Sequence, residues 1–116
     1  MKLICYKKCS TCKAVEKMLK EKNIQYKYRN IDTENPSKEE LKLWHEKSGL
    51  DIKKFFNTSG TIYKENKIKD KLNDMTLDEK YDILSTNGML VKRPILLEDD
   101  KILVGPEVKK YIEELE

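Results

Sequence analysis

The residues that most constrain the fold lie at the N-terminus, where Leu3-Ile4-Cys5-Tyr6 runs within four positions into Cys9-Ser10-Thr11-Cys12. An apolar run this short reads as a buried strand, here Lys2 to Tyr6. Beyond the second cysteine, Ala14, Val15, Met18 and Leu19 recur at helical spacing, with lysines and glutamates opposite, so a helix is expected over 12–22. Tyr26 to Ile31 then reads as a second strand. Strand, helix and strand in about thirty residues make a crossover unit, which places the two strands parallel.

The rest of the chain can be read the same way. Asn35-Pro36-Ser37 breaks the chain, and Ser37 with Glu40 has the spacing of a capping box. A helix is expected from there to Ser48, with Leu41 and Trp44 inward and Gly49 as its stop. Residues 51–58 read as a short helix or turn carrying Phe55 and Phe56 inward, residues 59–66 as irregular, and Ile68 to Asn73 as a short helical piece. Thr76 and Glu79 form a second capping box, with Leu77, Tyr81 and Leu84 behind it and Asn87-Gly88 as the end. Ile95-Leu96-Leu97 and Ile102-Leu103-Val104, separated by four polar residues, read as a hairpin. Gly105-Pro106 opens a last helix in which Val108, Tyr111, Ile112 and Leu115 share a face.

The order is therefore β-α-β, a helical block, then β-β-α. That is an α/β, thioredoxin-like plan with a helical insertion at about 37–88. At 116 residues it fits one domain over 1–116. In such folds a cis-proline enters the strand that faces the thiols, and Lys92-Arg93-Pro94-Ile95 is the expected counterpart.

The thiol pair admits three chemistries. Zinc needs four ligands, whereas this chain offers one pair plus Cys5 and the single histidine, His45. Cys5 inside a strand is most simply a small buried hydrophobe, and His45 beside Trp44 a surface or boundary residue. A structural bridge suits an oxidising compartment. Nothing in the sequence resembles a signal-peptide core or a membrane span, so the expected location is cytoplasmic. Redox chemistry fits best. A cysteine just before a helix faces backbone N–H groups and the positive end of the dipole, and Lys7, Lys8 and Lys13 add positive potential. Cys9 is then the candidate nucleophile and Cys12 the resolving thiol.

Only two arginines stand among the 24 basic residues. Arg93 directly precedes the expected cis-proline, where a planar fork can clamp an anion beside Cys9. Arg29, in the second strand, reads as a structural or surface residue. Net charge is +3 and acids are interleaved with the lysines, so no nucleic-acid patch is expected.

Four segments resemble the ArsC/Spx family, the arsenate-reductase-like branch of thioredoxin folds. They are Cys9-Ser10-Thr11-Cys12-Lys13-Ala14, residues 50–58, residues 84–95, and Val104-Gly105. In the glutaredoxin-coupled arsenate reductases of that family, one cysteine, here Cys9, attacks arsenate and three arginines hold the oxyanion. Here only Arg93 is in place; Asn57 and Gly105 stand at the other two positions. An oxyanion would lose two charge-assisted contacts, each about 1.5–3 kcal/mol. The Spx branch instead uses the pair as a redox switch and binds the C-terminal domain of the RNA polymerase α subunit. The resemblance thus implies a thiol–disulfide oxidoreductase fed by thioredoxin, glutaredoxin or a low-molecular-weight thiol. Its alternative is an Spx-like redox-sensing regulator that binds the polymerase. Neither implies a bound cofactor, and a monomer is expected.

Overall fold

A computed structural model describes residues 1–115. β1 (Lys2–Cys5), α1 (Ser10–Glu21) and β2 (Lys27–Asn30) form the crossover unit. The insertion follows. It comprises α2 (Lys38–Ser48), a 3₁₀ turn (Ile52–Phe55), α3 (Thr61–Glu65), α4 (Ile68–Leu72), α5 (Leu77–Thr86) and a second 3₁₀ turn (Gly88–Leu90). The chain closes with β3 (Ile95–Glu98), β4 (Lys101–Val104) and α6 (Pro106–Glu113). The sheet order is β2-β1-β3-β4, with β1 and β2 parallel and both other pairings antiparallel. This is the expected mixed α/β, thioredoxin-like architecture.

Both faces of the sheet are covered, which is why Leu3, Ile4 and Cys5 of β1 are apolar in succession, with only Lys2 at its start exposed. Alternate side chains serve different cores. Leu3, Cys5 and Leu96 pack with Val15 and Leu19 of α1 and with Val108 and Ile112 of α6. Ile4 and Ile95 face the insertion, where they meet Leu41, Trp44, Phe55, Phe56, Tyr81 and Leu84.

The two capping boxes form as read. Ser37 Oγ accepts from Glu40 N–H at 3.1 Å and Glu40 accepts from Ser37 N–H at 3.1 Å. Thr76 and Glu79 repeat this at the start of α5. Gly49 ends α2 in the left-handed region, at φ 68°. Gly88 is required for a different reason: a Cβ there would lie 1.9 Å from the carbonyl oxygen of Ile31, so the insertion returns to the end of β2 by backbone contact.

Several local expectations are corrected. Residues 59–66, read as irregular, contain α3, because burying Tyr63 against Phe56 (ring centroids 6.2 Å apart) repays ordering a polar segment. Ala14, expected inward, is exposed, and the buried stripe of α1 runs through Cys12, Val15 and Leu19. Leu77 is 45% exposed although it shares a face with Tyr81 and Leu84, since it is the first residue of α5 and stands at the open end of that stripe. α1 begins at Ser10 rather than residue 12, which makes Cys9 its N-cap. Among the described residues, no helix is long and apolar enough to cross a membrane.

Candidate functional site: a thiol pair at a helix N-terminus

The site forms where β1 hands over to α1. Tyr6 leaves the strand, and its carbonyl accepts from Cys9 N–H at 3.0 Å, closing the tight turn that places Cys9 at the helix start. Cys9 makes no side-chain cap and the first turn carries no acidic residue. The first-turn N–H groups of α1 are thus not spent on a capping side chain, and the positive end of the helix acts on the sulfurs. Cys9 is half-buried, whereas Cys12, one turn on, is 1% exposed. All three cysteines are free thiols.

Cys12 is held from several sides. Tyr6 N–H points at its sulfur at 3.5 Å. Cys5 shares its core cluster, Cys9 packs against that cluster, and the charge of Arg93 acts on it. The neighbouring Cys5 thiol is the largest influence. Together these outweigh burial and bring the Cys12 thiol down to about 7. Cys5 moves the opposite way: the neighbouring Cys12 sulfur and its complete burial push its thiol up strongly.

The two arginines divide sharply. Arg29 is spent on structure. Its Nη1 and Nη2 donate to the Glu40 carboxylate at 2.6 and 2.9 Å, Nε donates to the Glu34 carbonyl at 2.9 Å, and its guanidinium lies 5.9 Å from the Trp44 ring. It ties β2 to the capping box of α2. Arg93 is not spent in this way. Its Nε and Nη1 are buried without a hydrogen-bond partner among the described residues, and its Cζ lies 5.2 Å over the Tyr6 ring. Buried unmatched donors on a charged group are costly, so they mark a place kept for something other than the fold. The Arg93-Pro94 peptide is cis, as the sequence led us to expect.

Asn57 and Gly105 are both committed to backbone architecture. Asn57 N–H donates to the Leu90 carbonyl at 2.8 Å and its side-chain amide to that of Met89 at 3.3 Å. Gly105 adopts φ 66° and donates to the Pro94 carbonyl at 2.8 Å, with Lys92 packed above it. A groove of about 550 Å³ runs past these elements, lined by Lys53, Lys54, Phe56, Lys92, Val104 and Pro106 among others. None of the cysteines lines it.

His45, as expected, is a boundary residue: Nδ1 lies 2.6 Å from the Tyr81 hydroxyl and the ring meets Phe55 edge-on. Among the described residues, no three His, Cys, Asp or Glu side chains are placed to share a metal ion. Sequence reasoning gave Cys5 only a packing role. The signal that could have raised it is the strand alternation, which turns Cys5 toward the helix that carries Cys12.

Comparison with known proteins shows the family. Residues 5–113 match the ArsC family. The chain belongs to the ArsC family. It is 48% identical over 100 residues to the uncharacterized protein YusI of Bacillus subtilis, covering 86% of this chain and 85% of that one. It is 28% identical over 109 residues to the global transcriptional regulator Spx of Staphylococcus epidermidis, covering 90% and 80%. Among solved structures, an ArsC family related protein from Bacteroides fragilis superposes with a TM-score of 0.88 at 48% identity, over 96% and 95% of the two chains. A possible arsenate reductase from Streptococcus mutans does so at 0.84 and 40%, over 90% and 89%.

Proposed function

We propose that this ArsC family protein is a thiol–disulfide oxidoreductase in which Cys9 is the nucleophile and Cys12 the resolving thiol. The observation that carries the reading is the pairing of these thiols at a helix N-terminus with an arginine whose buried donors are unmatched. The Cys9 thiolate attacks a substrate disulfide, forms a mixed disulfide and expels the first substrate thiolate. The Cys12 thiolate then attacks the Cys9 sulfur and expels the second, leaving a Cys9–Cys12 disulfide. Two electrons from thioredoxin, glutaredoxin or a low-molecular-weight thiol restore the dithiol. Arg93 holds an anionic group of the substrate beside Cys9, and Pro94 shapes the opposite wall. No bound cofactor is needed.

Arsenate is disfavoured as the substrate. Asn57 and Gly105 offer it no guanidinium, and both are committed to backbone contacts. The test is turnover of a small disulfide coupled to each donor in turn. Activity should vanish in Cys9→Ser and fall in Arg93→Ala. Turnover that survives Cys9→Ser would defeat the reading.

A second reading follows from the likeness to Spx. There the same pair is a redox switch on a regulator that binds the C-terminal domain of the RNA polymerase α subunit. It predicts capture of that purified domain, dependent on the oxidation state of Cys9 and Cys12, together with no turnover on any disulfide.

A further inference from the structure

Cys5 is the third thiol of the cluster, and the scheme above gives it no role. Strand alternation decides where it points. Cys5 and Leu3 share the sheet face covered by α1 and α6, while Ile4 faces the insertion. Cys12 belongs to the buried stripe of α1 on that same face. The two side chains therefore share one core cluster, and the Tyr6 N–H, on the residue next to Cys5, reaches the Cys12 sulfur at 3.5 Å. From surface to core the sulfurs run from half-buried Cys9, through Cys12 at 1%, to Cys5 at 0% exposure.

A packing role alone does not account for the polarity around it. In the register of β1 and β2, Asn30 is the partner of Cys5 and Tyr28 the partner of Leu3. Asn30 Oδ1 and Tyr28 Oη are both buried without a hydrogen-bond partner among the described residues. Unpartnered polar atoms thus stand on the strand beside Cys5, on a sheet face that is otherwise apolar.

We propose that Cys5 is a positioning residue whose S–H holds the Cys12 sulfur as a thiolate for the resolving attack. This rests on the redox-pair reading above. Before that attack Cys9 is bound in the mixed disulfide and has no S–H to offer. Cys5 is then the remaining thiol donor to Cys12, alongside the Tyr6 N–H. The step balances without Cys5 being consumed: the Cys12 thiolate bonds to the Cys9 sulfur, the Cys9–substrate bond breaks, and the electron pair leaves on the substrate thiolate. The proton lost earlier from Cys12 has gone to solvent, and Cys5 keeps its own.

The charges and titratable groups around the pair are consistent with this assignment. Cys9 precedes α1 and Glu16 lies within it, Tyr28 belongs to β2, and Arg93 precedes β3. α6 brings the apolar Val108 and Ile112. The positive helix end and Arg93 favour charge on Cys12. The fully buried Cys5, with Glu16 acting on it, retains its proton.

Two measurements on the full chain test the proposal. The first is the pH titration of thiolate ultraviolet absorbance in Cys9→Ser, alone and combined with Cys5→Ala or Cys5→Ser. The second follows reaction with dithionitrobenzoate, in which the first coloured release reports Cys9 and the second reports resolution by Cys12. Cys5→Ala should raise the Cys12 midpoint and lower the ratio of second to first rate on the order of tenfold at neutral pH. Cys5→Ser retains a donor and should stay near the wild type in both readouts. An unmoved midpoint and ratio in folded Cys5→Ala would overturn the proposal and return Cys5 to simple packing. If the wild type never shows a second release, the redox-pair reading fails, while the titration still decides the role of Cys5.

Discussion

Replacing Arg29 by glutamine should loosen the insertion from the sheet, and the loss should depend on pH. Glu40 is brought down from 4.5 to about 2, chiefly by its hydrogen bonds to Arg29. A carboxyl whose folded value lies below its unfolded one contributes stability that is complete above about pH 4.5 and is lost as pH falls through about 2. A drop of about 2.5 units corresponds to at most ~3.4 kcal/mol at ~1.36 kcal/mol per unit. The Glu40 side chain is 37% exposed, and the Ser37 N–H bond survives the substitution, so screening and retention leave about half of that. Loss of the guanidinium bonds to the Glu34 and Asn35 carbonyls adds about 0.5 kcal/mol. Arg29→Gln should therefore cost about 2 kcal/mol at pH 7, or a fall in Tm of roughly 8 °C. The ionic part should shrink to less than half by about pH 3. Urea unfolding of both proteins at the two pH values measures this. A penalty below about 0.5 kcal/mol at pH 7, or one equal at both pH values, would refute the assignment of Arg29 as the clamp between β2 and α2.

Further outcomes follow from the packing and from the thiols. Gly88→Ala should destabilise by about 1–3 kcal/mol or more, because its Cβ would fall 1.9 Å from the Ile31 carbonyl oxygen; an unchanged urea midpoint would contradict that close approach. Phe55→Ala empties a fully buried site beneath the insertion and should cost about 3–5 kcal/mol in the same assay. Under reducing conditions, Cys12 gives a pH signature. Its folded value near 7 lies below the unfolded 9.0, so stability should rise between about pH 7 and 9, where the unfolded chain binds more protons. Above 9 the trend should reverse, since Cys5 is pushed up and stays protonated in the fold while ionising in the unfolded chain. A flat profile from pH 7 to 10 would count against the assignment of charge to Cys12 over Cys5.

Much of this was legible locally because the physics is local. A capping box needs only residues three apart, and Ser37/Glu40 and Thr76/Glu79 form as their spacing dictates. The apolar run before Cys9, the helical stripe after it, the hairpin and the Gly105-Pro106 start are set by periodicities of two and 3.6 along neighbouring residues. Hence the α/β order, the placement of Cys9 and Cys12 at a strand-to-helix corner, and the insertion between the two halves could all be read from the chain. α3 could not, because Thr61-Ile62-Tyr63-Lys64-Glu65 carries only a weak signal of its own and is ordered by burying Tyr63 against Phe56 and by packing against the distant 3₁₀ turn at Gly88–Leu90.

Tertiary structure alone separated the polar groups that the fold uses from those it leaves without a partner. In the sequence Arg29 and Arg93 are two isolated arginines. In the fold Arg29 is satisfied by Glu40, while two buried nitrogens of Arg93 have no partner among the described residues. Likewise Cys5 is a small apolar-looking residue until the sheet turns it toward α1 and into the core cluster that holds Cys12. Local periodicity fixes which way a residue faces. The energy of a charge depends on what faces it across the core, and those partners come from β1, α1 and the β3 entry, segments far apart in the chain that meet only when it folds.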